Sequence, residues 1–400
     1  MKLIAISWRY LWSRPLAAGL NLLLLGLGLA SITFLLLAGH QIRQAFERDV
    51  AGIDVVVGAK GSPMQLILSG VFHLDVPTGN VPLAAVQALE KHPQVAKVIP
   101  ISLGDSLRGF RMVGTTPDYI SHYKAELAQG ALWSAPMQAV LGAQAARQTG
   151  LKPGDHFIGS HGLGGAGHEH GQSPYLVTGV LAPSGTVLDR LVLTATESVW
   201  QVHETDTAVD DDDREALKAE RELTLALIQY RSPLAAVSFP RFINTTTEMQ
   251  AAAPAVEITR LLSMIGVGTD VLRALAAVLL LTAGLSVFIA LWGAVRERRA
   301  DLALLRMLGA PPGKVAGLLL CEALWLAVLA TVLGVLAGQG LTALIGWTLQ
   351  LEKSVLIGAW AWPVELLSVP VLALVVALAS ALLPAIEAYR ISVFELLQPG

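Results

Sequence analysis

The chain has 400 residues, of which 54% are hydrophobic and only 15% are charged, and its mean hydropathy is +0.58. An average soluble domain carries roughly 25% charged residues, so this composition excludes a disordered chain and disfavours an ordinary cytosolic enzyme. The net charge of −3 gives no support for nucleic-acid binding. A single cysteine, Cys321, excludes a disulfide framework and a cysteine zinc cage.

Four segments are long and apolar enough to cross a membrane. Residues 16–38 contain no charge over about 34 Å of helix, and a hydrocarbon core is about 30 Å thick. We interpret this segment as an uncleaved anchor, because its apolar core is longer than that of a signal peptide. The other predicted spans lie within residues 274–295, 315–351 and 366–386.

Basic residues predict the orientation of these spans. Three basic residues precede the first span, five lie in the loop 296–314, and Arg390 follows the fourth span. Because basic loops stay in the cytoplasm, both termini and this loop are expected there. The acidic block of residues 41–270, which contains most of the Asp and Glu residues, is then expected outside.

The predicted fold class is a membrane protein of four transmembrane helices with an inserted α+β extracytoplasmic domain. In chain order we expect an interfacial helix with transmembrane helix 1 (1–40), the α+β domain (41–270), transmembrane helix 2 (271–295), a cytoplasmic helix and loop (296–314), transmembrane helix 3 (315–349), a short periplasmic loop (350–364), transmembrane helix 4 (365–387) and a cytoplasmic tail (388–400).

Within the α+β domain, apolar runs predict strands at residues 53–58, 175–181 and 223–230. Helical spacing of apolar residues predicts a helix over residues 139–149. Residues 247–252 are expected to begin the helix that leads into the second span.

A histidine-rich loop interrupts the predicted β-rich part of the domain, residues 156–195. The sequence HFIGSHGLGGAGHEH contains imidazoles that suit zinc, copper or nickel. The alternative is a solvated loop that binds metal only casually, because glycine-rich segments are poorly preorganised. The candidate metal ligands are His156, His161, His168, Glu169 and His170.

Two short motifs resemble catalytic signatures without their partners. Residues 104–107 spell GDSL, but the nearest base and carboxylate, His203 and Asp206, stand in the wrong order for such an esterase. Residues 309–314 lack the spacing and the hydroxyl of a phosphate-binding loop. We therefore predict no catalytic residue and expect no ATP hydrolysis by this chain itself.

The strongest functional signal is the segment RERRADLALLRMLG. Leu302, Leu305 and Leu308 form an apolar stripe at helical spacing, and a glycine follows that can end the helix. An amphipathic helix of this kind can sit in a groove of a partner protein. The alternative is a lipid-facing loop that only sets topology. The candidate coupling residues are Arg296, Glu297, Arg298, Arg299, Asp301, Leu302, Leu305, Arg306, Leu308 and Gly309.

The third span contains one carboxylate, Glu322. A charge at that depth is costly unless it is paired or lies near the interface. We therefore predict either a coupling contact between helices or a shallow interfacial residue.

The motif R-x-R-x-x-D-x-A-L-L-R-x-L-G-A over residues 296–310 resembles the MacB/FtsX (LolC/LolE-like, type VII) family of ABC transporter permeases. Glu322, Gly334 and Gly338 match the pattern of its third span, where the glycines are expected to pack helices. The family usually has Glu where Asp301 stands, a mild departure.

The resemblance implies a MacB-like periplasmic domain of the Porter/Sabre type and a multi-pass location in the bacterial inner membrane. It implies a second permease copy, identical or related, a cytoplasmic ABC ATPase dimer that binds ATP and Mg, and a periplasmic protein as a further partner. ATP-driven closure would then move the periplasmic domain and export or extract a lipoprotein, peptide or lipophilic cargo. No cofactor is expected in this chain, apart from zinc at the histidine-rich loop. The alternative function is a membrane-anchored metal-binding or sensor protein.

Overall fold

The computed structural model consists of two compact units, and two long helices pass from one unit to the other. The spanning unit comprises residues 3–43, 264–350 and 360–391, and the α/β unit comprises residues 44–161, 173–207 and 220–263. The structure describes residues 3–161, 173–207, 220–351 and 360–391.

All of the regular structure described in the spanning unit is helical, whereas the α/β unit contains both helices and strands. Short 3₁₀ turns occur at Val187–Arg190 and Val364–Leu367. The helices are α1 (Leu3–Leu11), α2 (Pro15–Val50), α3 (Pro63–Gly70), α4 (Leu83–Glu90), α5 (Pro117–His122), α6 (Ala143–Thr149), α7 (Thr196–Thr207), α8 (Ala235–Thr246), α9 (Pro254–Glu297), α10 (Arg299–Met307), α11 (Pro312–Leu351) and α12 (Ser368–Arg390).

Four of the described helical segments are long and apolar enough to cross a membrane, which confirms the predicted number of spans. Two of these helices, α2 and α9, continue well beyond their apolar stretches. The candidate spans are Pro15–Val50, Pro254–Glu297, Pro312–Thr348 and Val364–Arg390.

Small side chains allow the spans to approach one another closely. Along α12, Ala373, Ala377 and Ala381 recur at every fourth residue and are completely buried. Because lipid is as apolar as the helices, association in a membrane depends on such close packing rather than on the hydrophobic effect. The face of α12 that carries these alanines therefore packs against the other spans, as part of one core that includes Leu25 and Leu29 of α2.

The α/β unit is built on a mixed sheet. Its strand order is β13-β1-β12-β3-β4-β10-β6-β9-β5, with β7 on β9 and β8 on β3, and a separate pair joins β11 to β2. The strands are β1 (Val55–Ala59), β2 (Val81–Pro82), β3 (Val95–Leu107), β4 (Phe110–Thr115), β5 (Leu127–Gly130), β6 (Gln138–Leu141), β7 (His156–Phe157), β8 (Ser160–His161), β9 (Tyr175–Leu181), β10 (Leu191–Ala195), β11 (Glu222–Leu223), β12 (Leu225–Tyr230) and β13 (Met249–Ala252).

The long strand β3 joins two halves of this sheet. Residues 95–101 pair with β12, and residues 102–107 pair with β4. Only β10–β4 and β6–β9 are parallel pairs among the described strands, and the other ladders are antiparallel. The predicted mixed α+β class of this domain is therefore confirmed.

Strand β1 shows why a continuous apolar run forms a central strand. Val55 and Val57 pack into the core beneath α4 and α8, whereas Val56 faces the core shared with α3. Successive side chains of a strand point to opposite faces, so a strand covered on both faces needs apolar residues at every position.

Two local predictions in this unit are wrong. Residues 249–252 do not begin a helix but form the edge strand β13, which pairs with β1, and the helix starts only at Pro254. The predicted helix over residues 139–149 is a strand through Leu141, followed by the short helix α6 from Ala143. Pairing with a neighbouring strand overrides local helical spacing in both places.

Candidate coupling site

The predicted amphipathic segment forms helix α10, between the second and third spans. Gly309 adopts a left-handed conformation (φ 93°), and the Ala310 N–H donates to the Leu305 carbonyl at 3.1 Å. This arrangement ends a helix by satisfying its last carbonyls. Pro312 then begins α11, where the missing N–H of proline is harmless.

The apolar residues of the predicted stripe lie in two different environments in the structure. Leu302 is buried in the core of the spanning unit, and Leu305 packs against the same core. Leu304, Met307 and Leu308 are exposed by 54%, 53% and 78% of their surface. The exposed apolar surface of α10 and the residue after it is therefore formed by these three residues, and of them only Leu308 belongs to the predicted set.

Arg298, the residue before α10, holds several elements of the spanning unit together. Its guanidinium donates to the Glu322 carboxylate at 3.3 Å and to the Tyr10 carbonyl at 3.0 Å, and it also donates to the Ser13 hydroxyl. The guanidinium lies over the Tyr10 ring, 4.6 Å from its centroid. Arg298 therefore connects the start of α10 to α1 and to α11.

Glu322 contacts a basic residue of a neighbouring element in the spanning unit, and its part in coupling stays a prediction. Glu322 is almost completely buried in α11 and is paired with Arg298, so its charge is compensated within the protein. A charged side chain can be buried away from water only when an opposite charge and hydrogen-bond partners compensate it.

Two further basic residues make contacts at the same end of the spanning unit. Arg14, at the start of α2, forms an ion pair with Glu297 at the end of α9. Arg306 of α10 donates to the carbonyl of Ile391, the residue after α12. The flanks of α10 are thus tied to the ends of the helices around it. The remaining predicted charges, Arg296, Arg299 and Asp301, are exposed.

Helix α1 also contributes to this site, which the sequence analysis did not predict. Trp8 packs edge-on against Trp325 of α11, with 4.8 Å between ring centroids, and the Trp325 N–H donates to the Ile4 carbonyl at 3.4 Å. Residues 1–40 were predicted to contain an interfacial helix, without a contact to the third span. Its attachment to α10 depends on Arg298, which is distant in sequence.

The two predicted packing glycines lie against the first span. A Cβ at Gly334 would be 2.6 Å from the Leu29 Cβ, and a Cβ at Gly338 would be 2.5 Å from the Thr33 Cβ. Only glycine permits this approach of α11 to α2.

Most of the histidine-rich loop lies outside the described residues. His156 is exposed in β7, and the backbone of His161 is part of β8. His168, Glu169 and His170 lie outside the part of the chain that the structure describes. Among the described residues, no group of three or more His, Cys, Asp or Glu side chains could hold a metal ion.

The GDSL segment is part of the sheet. Ser106 is completely buried in β3, and its hydroxyl lies 3.4 Å from that of Ser160. A nucleophile must be accessible to its substrate, so this serine is placed as a structural residue.

Four spans, a large α/β insertion after the first span and a short amphipathic helix between the second and third spans define a transporter permease. Residues 18–237 match the family model described as the MacB-like periplasmic core domain, and residues 273–393 match the FtsX-like permease C-terminal family. The chain belongs to the MacB/FtsX family of ABC transporter permeases. It is a multi-pass membrane protein with a periplasmic domain.

One curated relative and two solved structures are similar to parts of the chain. It is 23% identical over 385 residues to the pyoverdine export ATP-binding/permease protein PvdT of Pseudomonas putida, covering 86% of this chain and 52% of that protein. The chain therefore spans about half the length of that relative.

The two solved structures are extracytoplasmic regions. The periplasmic region of MacB from Actinobacillus actinomycetemcomitans matches with a TM-score of 0.35 and 12% identity, covering 54% of this chain and 95% of that structure. The extracellular domain of the ABC-type transporter YknZ from Gram-positive bacteria matches with a TM-score of 0.31 and 13% identity, covering 49% and 98%.

Proposed function

We propose that this permease couples ATP hydrolysis by a cytoplasmic ABC ATPase, seated on α10, to movement of the periplasmic domain. The observation that carries the proposal is the exposed surface formed by Leu304, Met307 and Leu308 on a helix whose flanks are fixed to the spans around it. A helix held in this way transmits a push from a partner to the spans, because its ends cannot slide independently. The ATPase supplies the ATP and Mg site in this proposal.

The proposed complex contains two permease copies, identical or related, in the bacterial inner membrane. Leu16, Leu20 and Leu23 of α2 are more than half exposed, and this face is available for lipid or for a second copy. The basic loop around α10 favours the cytoplasmic side for the ATPase. A periplasmic protein is a further proposed partner.

The proposed cargo is a lipoprotein, a peptide or a lipophilic molecule. The relative PvdT is an export protein by its name, which favours export over extraction. The large α/β domain between the first and second spans supports a mechanism in which movement of this domain, rather than a polar channel through the spans, moves the cargo.

Co-purification tests the proposal. The full chain is expressed with its native neighbours, extracted gently and examined for a bound ATPase, in the wild type and in Leu308→Asp and Leu304→Asp. We expect the ATPase to be lost in both variants, because a carboxylate in an apolar contact is left without a partner. Leu305→Asp is a less selective variant, since Leu305 also packs against the spans.

Gly313→Asp is the matched control. It introduces the same charge at an exposed position near the start of α11, where a Cβ meets no heavy atom within 4 Å. Retention of the ATPase in this control and its loss in Leu308→Asp support the proposal. A well-folded wild type without any ATPase contradicts it.

A further inference from the structure

The last turn of α2 is built into the α/β unit. Asp49 is 6% exposed, and its Oδ1 accepts a hydrogen bond from the Val187 N–H at 2.9 Å. The Asp49 carbonyl accepts a hydrogen bond from the Tyr123 hydroxyl at 2.6 Å. Phe46, one turn earlier, packs edge-on against Phe72 with 4.7 Å between ring centroids. Polar and apolar contacts therefore fix the end of this helix on more than one side.

The partners of Asp49 are themselves held in place. Arg190 is 8% exposed, attracts the Asp49 carboxylate and donates to the Phe72 carbonyl at 2.8 Å. The carboxylate of Asp189 accepts hydrogen bonds from the backbone N–H groups of Ser184 and Gly185, both at 2.8 Å. These hydrogen bonds stabilise the loop 184–190, which contacts the end of α2 through the Val187 N–H.

The first turns of α9, the helix of the second span, make a different kind of contact with the α/β unit. Ile258 is buried in the core that also contains Phe72, and Leu262 packs against that core. The hydroxyls of Thr259 and Ser263 donate to carbonyls of their own helix, at Ala255 and Arg260. The described contacts of this entry are therefore mainly apolar.

Apolar and hydrogen-bonded contacts respond differently to force along a helix. Apolar packing has no preferred direction, so packed helices can slide over one another by small steps. A buried carboxylate bonded to a backbone N–H has a defined geometry, and displacing it leaves both groups unsatisfied. The two helices should therefore transmit motion to the α/β unit unequally.

We propose that Asp49 is the positioning residue that locks the first-span helix to the loop 184–190, so that movement of this span drives the periplasmic domain while the second-span helix slides against it. This inference rests on the proposed coupling function. It adds the residue at which motion enters the domain and the asymmetry between the two connecting helices.

The lock is tested by spin-label distance measurements in the full chain reconstituted in lipid, with Cys321→Ser as the background. One label pair, Glu47→Cys with Gln129→Cys, reports the end of α2 relative to the sheet; both positions are exposed. We expect a single narrow distance distribution that broadens in Asp49→Ala. A distribution that stays narrow in Asp49→Ala overturns the lock.

Glu257→Gln is the matched control, since Glu257 is another buried carboxylate near the start of the other connecting helix. We expect it to leave the distribution unchanged, and broadening equal to that of Asp49→Ala contradicts the asymmetry. Asp49→Asn keeps an acceptor for Val187 but loses the charge, so it should broaden the distribution less. If Asp49→Ala does not fold, Asp49→Asn decides the test, and an unchanged distribution then counts against the lock.

A second label pair separates this inference from the coupling function. Gln129→Cys with Gly268→Cys reports sliding of the second-span helix, and a Cβ at Gly268 meets no heavy atom within 4 Å. With the ATPase bound, we expect a nucleotide analogue to shift this distance in the wild type and the shift to be lost in Asp49→Ala. A wild type without any shift contradicts the coupling function, whereas a shift that persists in Asp49→Ala contradicts only the lock.

Discussion

Arg298 and Glu322 form an ion pair inside the spanning unit, with 3.3 Å between Nη1 and Oε1 and with 15% and 5% of their side chains exposed. The pair joins the start of helix α10 to the third span. A buried pair of this kind contributes little net stability over apolar residues, but each partner makes the other tolerable.

Removing one partner of this pair should be more damaging than removing both. We expect Arg298→Met or Glu322→Leu alone to destabilise the chain by about 3 kcal/mol, because each leaves a buried charge unpaired. The double variant should recover part of that loss but not all of it, because it also lacks the contacts of Arg298 with Tyr10 and Ser13. Thermal unfolding of the four forms in lipid measures the cycle. Additive losses, with a double variant as unstable as the sum of the singles, would show that the pair does not act as a unit.

The approach of the third span to the first should fail when Gly338 gains a side chain. A Cβ there would be 2.5 Å from the Thr33 Cβ and 3.0 Å from the Ala30 carbonyl oxygen, so the backbones must separate. We expect Gly338→Ala to destabilise the chain by about 1–3 kcal/mol, measured by thermal unfolding in lipid.

Gly340, on the same helix, supplies the control for that experiment. A Cβ at Gly340 meets nothing within 4 Å, so Gly340→Ala should be neutral or stabilise the helix by up to about 1 kcal/mol. Equal losses in the two variants would show that the close approach of Gly338 to the first span is not the cause of the effect.

The α/β unit should lose stability on acidification because of His73. Burial, and the positive charges of Arg111 and Arg190, lower the pKa of this side chain well below its ordinary value of 6.5. The unfolded chain therefore binds a proton below about pH 6.5 that the folded chain rejects, and the free energy of unfolding falls with falling pH by up to about 1.4 kcal/mol per unit.

His73→Asn should reduce this pH dependence. Asparagine tolerates the left-handed backbone at this position, where φ is 54°. The measurement is denaturant unfolding from about pH 7.5 to about pH 5. Burial also lowers the pKa of His122, so part of the slope should remain in the variant. An unchanged slope in His73→Asn would exclude this residue as its source.

Asp189 should be a large contributor to the stability of the loop 184–190. Its carboxylate accepts hydrogen bonds from the Ser184 N–H, the Ser184 hydroxyl and the Gly185 N–H, at 2.8 to 2.9 Å. We expect Asp189→Ala to destabilise the α/β unit by about 2 kcal/mol or more, since several donors lose their acceptor. Asp189→Asn keeps one acceptor oxygen and should lose less, as followed by denaturant unfolding. Equal stability of the alanine variant and the wild type would contradict this account.

The sequence identified the features that depend on composition and on short spacing. Long apolar runs with at most one charge were sufficient to predict the four spans, because a membrane requires about twenty apolar residues in succession. The strand at Tyr175–Leu181 has the bounds that its apolar pattern predicts. The motif that contains Arg298 and Gly309 was sufficient to indicate the family.

Other features depend on residues that are distant in sequence, and these only the tertiary structure decided. Met249–Ala252 became a strand because β1 offers it a partner, which no local pattern records. Leu302 and Leu308 are the same residue type and belong to the same predicted apolar stripe. In the structure Leu302 is buried against the spans and Leu308 is exposed. The pairing of Glu322 with Arg298 and of Asp49 with Val187 likewise requires the fold. By itself, the sequence determined which segments leave water, because transfer free energy is a property of each segment. Which side chains meet was decided by the packing of the whole chain.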